Sequence, residues 1–213
     1  MSEPAIADPE IAGKLRASDW YRAKATLQYG GTPQNWELVF SNFLRQRLEL
    51  RYLNPIKLLQ DNGTFQGEGF SIVAIQCTLL EFLAASIEGK YYRYVRKGDP
   101  ALDRSKEYSN SSELFTNFLI TARPFNKSFD SALAGEFYSN IRCGLLHEAA
   151  TKNGWTIRAK STNGKIIDGG AKVVFRDEFH AALLEFIDWY KKALPADAAL
   201  QQAFVQKMDS LCM

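Results

Sequence analysis

The stretch FSIVAIQCTLLEFLAASIEG, residues 70–89, decides how the rest of the chain is read. Its apolar residues fall on every side of a helical wheel, the pattern of a helix enclosed by others. The 18-residue run from Phe70 to Ile87 comes close to the length that spans a bilayer. Gln76, Thr78, Glu81 and Ser86 interrupt it, which favours a buried core helix. Gly89 offers a stop. Lys90, Arg93, Arg96 and Lys97 follow where the negative end of a helix dipole favours cations.

On the N-terminal side, residues 1–15 read as a loose tail and residues 16–213 as a single domain. A helix is expected from Asn35 to Arg51, where Trp36, Leu38, Val39, Phe43, Leu44 and Leu48 recur near helical spacing, with Arg45, Arg47 and Arg51 among them. Asn54-Pro55 should end it, because proline disfavours helix in the residue before it. On the C-terminal side, a polar loop covers residues 98–110. Asn110 and Glu113 then resemble a capping box for a helix carrying Leu114, Phe115, Phe118 and Leu119. Ser128 or Asp130 opens a helix through about Ala150, with Leu133, Phe137, Ile141 and Leu145 on its buried face.

After Asn153-Gly154 the pattern changes. Trp155 to Lys160 alternates, Asn163-Gly164 is a turn signal, and Ala171 to Arg176 is β-prone, which predicts a β-hairpin of two or three strands at about 155–176. Asp177 can cap a long helix that stops at Pro195, and a short helix from Asp197 to Leu211 follows. The expected fold is a mostly α helical bundle with a small β-hairpin inserted before its last long helix.

Composition bounds the function. With 46% hydrophobic residues the chain can bury a core without staples, and a net charge of +2 gives no global pull toward nucleic acid. Cys77, Cys143 and Cys212 are scattered and odd in number, which fits a reducing compartment better than a disulfide scaffold. His147 and His180 are the only histidines in the sequence, and no clustered carboxylates stand in for missing ligands, so neither a metal nor a cofactor is expected. The acidic, Ala/Pro-rich start lacks the build of a signal peptide. The expectation is a soluble cytoplasmic protein with no membrane partner.

The segment that carries chemistry is FYSNIRCGLLHEA, residues 137–149. Above all through Arg142-Cys-Gly-Leu-Leu-His147, it resembles the HEPN superfamily, whose helical bundles carry an Arg, four to six residues, then a His near a helix end. Many members are metal-independent ribonucleases of toxin–antitoxin, phage-defence and RNA-processing systems, and they usually act as dimers. The resemblance implies an RNA substrate, Arg142 on the scissile phosphate, His147 as general acid or base, attack by the 2′-hydroxyl, and an antitoxin or defence partner. The chemistry is sound in its own right. Histidine exchanges protons near neutral pH, and a guanidinium grips phosphate oxygens through a planar fork. Five helical residues leave the two side chains roughly 140° apart and ~7.5 Å apart along the axis, so one straight helix would not converge them. Two copies about a twofold axis would. A homodimer through this helix is therefore expected, with Gly144 admitting the partner's backbone.

Supporting candidates around the pair are Glu81, Tyr138, Asn140, Cys143 and Glu148. Glu81 either reaches Arg142 and orients the site or forms a structural ion pair elsewhere. Arg142 can also bridge to Glu136 or Glu148, and His147 can simply cap its helix. Cys143 reads as a small packing residue more readily than as a nucleophile. Lys90, Arg93, Arg96 and Lys97, interleaved with tyrosines, suit phosphate contact and base stacking, and Lys152 extends that rim; snorkelling at a helix end explains the same residues. A rival class is a non-catalytic HEPN-like module binding RNA, a nucleotide or a protein.

Overall fold

The computed structural model describes residues 8–64 and 66–213. Helix makes up 60% of it, so the chain is mostly α, and its strands are only two or three residues long. At the centre lies the helix Glu68–Ile87, packed against Ala198–Ser210, Arg176–Ala193, Ser111–Thr121 and the end of the helix before it. By length and composition it could cross a bilayer, yet 56% of its most apolar window is buried inside the protein. Ile72, Val73, Leu79, Leu80 and Leu83 are inaccessible to solvent. The helix stops where Gly89 takes a left-handed φ of 69°. Lys90 N–H donates to Ala85 O at 2.8 Å and Gly89 N–H to Ser86 O at 3.2 Å, a Schellman closure of the last carbonyls.

The helix preceding it occupies residues 33–61, and here sequence and structure part. It runs straight through Asn54-Pro55 because two of its turns, Phe40–Arg45 and Glu49–Leu53, are π-helical. Asn54 N–H donates to Glu49 O, five residues back. That wider turn shifts the carbonyl ladder just before a ring that lacks an N–H and would crowd the carbonyl four residues behind it.

The loose tail is also corrected. Residues 1–7 lie outside the described residues, but β1 (Glu10–Ala12) pairs antiparallel with β2 (Leu15–Arg16), and Ile11 and Ala12 are buried. A helix absent from the sequence reading, Ala17–Lys24, follows at once. Trp20 is fully buried and donates to Asp209 Oδ1 at 2.8 Å, while Lys24 pairs with Asp209 Oδ2 at 2.6 Å. The first helix is thereby fastened to the last.

The helix bearing the Arg142–His147 motif spans residues 131–148, again with a π-helical stretch, Phe137–Arg142, between two α-helical ones. Asp130 Oδ1 caps it by accepting from Leu133 N–H at 2.8 Å. Phe137 and Ile141 are buried, and Phe137 stacks on Phe115 and meets Phe129 and Phe179 edge-on.

The expected β-hairpin is a three-stranded sheet of different topology. β5 (Thr156–Arg158) pairs parallel with β7 (Val173–Phe175), and β6 (Ile167–Asp168) pairs antiparallel with the other side of β7. The hairpin proper is β6–β7, turned at Gly169-Gly170 where Ala171 N–H donates to Asp168 Oδ1; Asn163-Gly164 bends the connection between β5 and β6 instead. Asp177 is not the cap of the next helix. Arg176–Ala193 begins one residue earlier, and Asp177 accepts from Gln60 at 3.0 Å.

Candidate functional site

Five parts of the fold enclose a cavity of about 440 Å³. Its floor is one face of the central helix, where Ala74, Cys77, Thr78, Glu81 and Phe82 recur at helical spacing. Tyr52 comes from the helix of residues 33–61, Arg142 and Leu146 from the motif helix, and Lys207 from the C-terminal helix Ala198–Ser210. Tyr92 and Tyr108 complete the wall from a parallel pair of two-residue strands, β3 (Tyr91–Tyr92) and β4 (Glu107–Tyr108). Thr78, Tyr92 and Leu146 are exposed at the mouth.

Glu81 and Arg142 meet in this cavity. Arg142 Nη2 lies 2.9 Å from Glu81 Oε2, with only 19% and 15% of the two side chains exposed. Tyr108 Oη donates to the other carboxylate oxygen at 3.3 Å, and the guanidinium carbon lies 5.2 Å from the centroid of the Tyr138 ring. The arginine is thus held on two sides, by a carboxylate and by a ring face. Burial works against its charge, but the hydrogen bond and field of Glu81 outweigh burial and raise its pKa above the ordinary arginine value. Burial, with Glu81 adding to it, pushes the Tyr108 phenol up and keeps it a donor. The Tyr138 phenol is raised by burial as well, with Arg142 pulling the other way. Cys77 on the floor is buried, and burial pushes its thiol well above the range of a nucleophile.

His147 is elsewhere. It is exposed in the last turn of the motif helix and is not among the cavity-lining residues, although its neighbour Leu146, 61% exposed, forms part of the mouth. Within one chain, Arg142 and His147 are not brought to a common point. The end of this helix is built tightly. Ala149 takes a left-handed φ of 52°, and the chain folds back so that Lys152 N–H donates to Asn140 O at 2.9 Å. The buried Asn140 side chain accepts from Asn153 at 2.8 Å. This return explains Gly144: a Cβ there would collide with the Ala150 carbonyl oxygen of the same chain, so the close approach expected of a partner backbone is filled internally. Cys143 is half-buried beside Arg142, and the exposed Glu148 lies 3.8 Å from Lys152.

The basic candidates divide. Lys90 pairs with Glu88 at 2.8 Å; Arg93 pairs with Glu107 at 2.9 Å and donates to the Pro100 and Ala101 carbonyls. Arg93 thereby holds the loop of residues 93–106 in shape, while Lys90 stays at the end of the central helix. Arg96 and Lys97 are exposed on that loop beside Tyr94, itself 68% exposed.

Sequence reasoning missed another part of the cavity wall. Lys207 is 7% exposed, donates to Lys90 O at 2.9 Å, and places its ammonium 5.0 Å from the centroid of the Phe82 ring. Arg47 approaches the same ring at 5.7 Å, and its Nε is buried without a hydrogen-bond partner. Burial and then the Arg47 charge lower the Lys207 pKa to about 8; burial and then Arg51 lower Arg47 to about 10. A signal existed: Lys207 falls among Phe204, Val205 and Met208 on the buried side of its helix. Compared with protein-family models, with curated proteins and with solved structures, the chain finds no match.

Proposed function

We propose that this chain is a HEPN-type, metal-independent endoribonuclease whose site is completed by a second copy of itself. The observation that carries the reading is the difference between the two motif residues. Arg142 is fixed at an open cavity by Glu81, whereas His147, at the same helix end, is exposed, and its imidazole has no hydrogen bond or ion pair in its own chain among the described residues. A twofold-related protomer can carry that imidazole to the partner's guanidinium. Arg142 then holds the scissile phosphate, and His147 takes the proton of the 2′-hydroxyl as that oxygen bonds to phosphorus. The P–O5′ bond breaks, and the 5′ oxygen leaves with a proton drawn from water, giving a 2′,3′-cyclic phosphate and a 5′-hydroxyl. Arg96, Lys97 and the exposed Tyr92 and Tyr94 supply phosphate and stacking contacts for the flanking strand.

A second reading has its own support. Because Glu81 already neutralises Arg142, the same surface suits an RNA-binding module that does not cut. One experiment separates them. Purified protein is incubated with mixed RNA in EDTA, alongside Arg142→Ala, His147→Ala and an equimolar mixture of the two variants refolded together. Cleavage by the wild type, loss in each variant with helicity unchanged, and recovery in the mixture support the composite nuclease, since a mixed dimer rebuilds one intact site. Binding without cleavage supports the module.

A further inference from the structure

The cavity holds one charge that no acidic side chain neutralises among the described residues. On one wall Glu81 cancels Arg142. Elsewhere in the lining, Lys207 is more than nine-tenths buried, and the hydrogen bond of its ammonium is to a neutral carbonyl, that of Lys90. No carboxylate pairs with it among the described residues, and the nearest formal charge acting on it is the like charge of Arg47. Burying an uncompensated cation is costly, and cost of this kind collects where a ligand supplies the missing charge. The remaining wall is aromatic: Tyr52 stacks on Phe82 at 6.3 Å, and Tyr92 meets Tyr108 edge-on at 5.5 Å. A space of about 440 Å³ takes a ligand of one or two rings.

We infer that this cavity binds a small monoanionic aromatic carboxylate, its ring laid along Tyr52, Phe82, Tyr92 and Tyr108 and its carboxylate on Lys207. Charge selects the class. Once Glu81 and Arg142 have cancelled, the lining offers one positive charge, which matches a carboxylate and leaves half of a phosphate dianion unmet. Ring walls with few free donors favour a flat, weakly hydrated body over a sugar. The site goes beyond the nuclease reading, because it requires neither His147 nor cleavage.

The test uses 2-naphthoate, titrated into the full-length protein and followed by its own fluorescence. Controls are the neutral isostere 2-naphthamide, acetate, which lacks the ring, and uridine monophosphate, a dianion. Saturable naphthoate binding is expected, with 2-naphthamide at least about tenfold weaker and acetate undetectable. Lys207→Met should weaken naphthoate at least about tenfold while its thermal midpoint holds or rises, and Lys207→Arg should retain much of the affinity. Phe82→Leu should weaken both ring compounds alike. The assignment is overturned if naphthoate fails to saturate at millimolar concentration, if Lys207→Met binds as the wild type does, or if uridine monophosphate binds more tightly than naphthoate. Naphthoate titration of His147→Ala keeps the two proposals apart: that residue is not among the cavity-lining ones, so affinity should match the wild type whether or not the variant cuts RNA.

Discussion

Two cations line one cavity and have been treated differently by the fold. Arg142 has a carboxylate at 2.9 Å and a ring beneath it, and its pKa is raised. Lys207 has a carbonyl at 2.9 Å and a ring beneath it, and its pKa is lowered. The surroundings are otherwise alike: both line the same space and both rest on aromatic faces. The contrast separates a charge held for its position from a charge left available. A paired guanidinium is rigid, and it is aimed. An unpaired ammonium adds little to stability and is explained by what it can receive.

The largest effect should come from breaking the paired wall. Glu81→Ala leaves Arg142 half-buried without its counter-ion and is expected to destabilise the fold by about 2–3 kcal/mol in denaturant titration, somewhat less than for a fully buried pair. No loss of stability would mean that the pair is ornamental and that the contrast between the walls is false.

On the unpaired wall the sign reverses. Lys207→Met removes a buried, uncompensated charge and should stabilise the protein by about 1–2 kcal/mol at pH 7. That gain should shrink with alkali. Lys207 has a folded pKa of about 8 against an ordinary 10.5, so between those values the unfolded wild type binds a proton that the folded wild type lacks. Wild-type stability therefore rises with pH through that window relative to the variant, with Arg47 the charged group that shares the Phe82 ring with Lys207. Melts of both proteins at pH 7 and pH 9.5 measure the gap; a constant gap would contradict the burial assigned to Lys207.

Replacing both partners of the paired wall, as Glu81→Leu with Arg142→Met, should fall within about 1 kcal/mol of the wild type, because apolar groups of similar shape need no partner. A loss equal to the sum of the single variants would show that the two residues do not act on each other. The smallest effect is expected at Arg96. Arg96→Ala should change stability by less than about 0.5 kcal/mol, yet lower the salt dependence of RNA binding by roughly one phosphate contact.

How far these features were visible beforehand follows from their physics. The central helix and its Gly89 stop were legible because a twenty-residue apolar pattern and a glycine closure are strong local signals. Glu81 announced itself as a carboxylate stranded among apolar neighbours, and a link to Arg142 was one of the two readings it allowed. The Glu10–Arg16 pairing and the helix around Trp20 were not legible, since a few buried residues in so short a span make no period. The π-helical turns were invisible because one extra residue barely disturbs apolar spacing, and so Pro55 looked like a terminator. The parallel β5–β7 pairing hid behind an Asn-Gly signal that bends the chain without joining paired strands. Lys207 escaped because a lysine on a buried face ordinarily reaches back to water, and only the packed structure shows that this one does not.

The fastening of Trp20 and Lys24 to Asp209 has a consequence for the cavity as well. Asp209 and Lys207 are two residues apart on one helix, so the clasp that secures the helix Ala17–Lys24 and one wall of the cavity are carried by the same turn. Removing residues 198–213 should therefore cost the protein both its binding space and the seat of its first helix in a single cut.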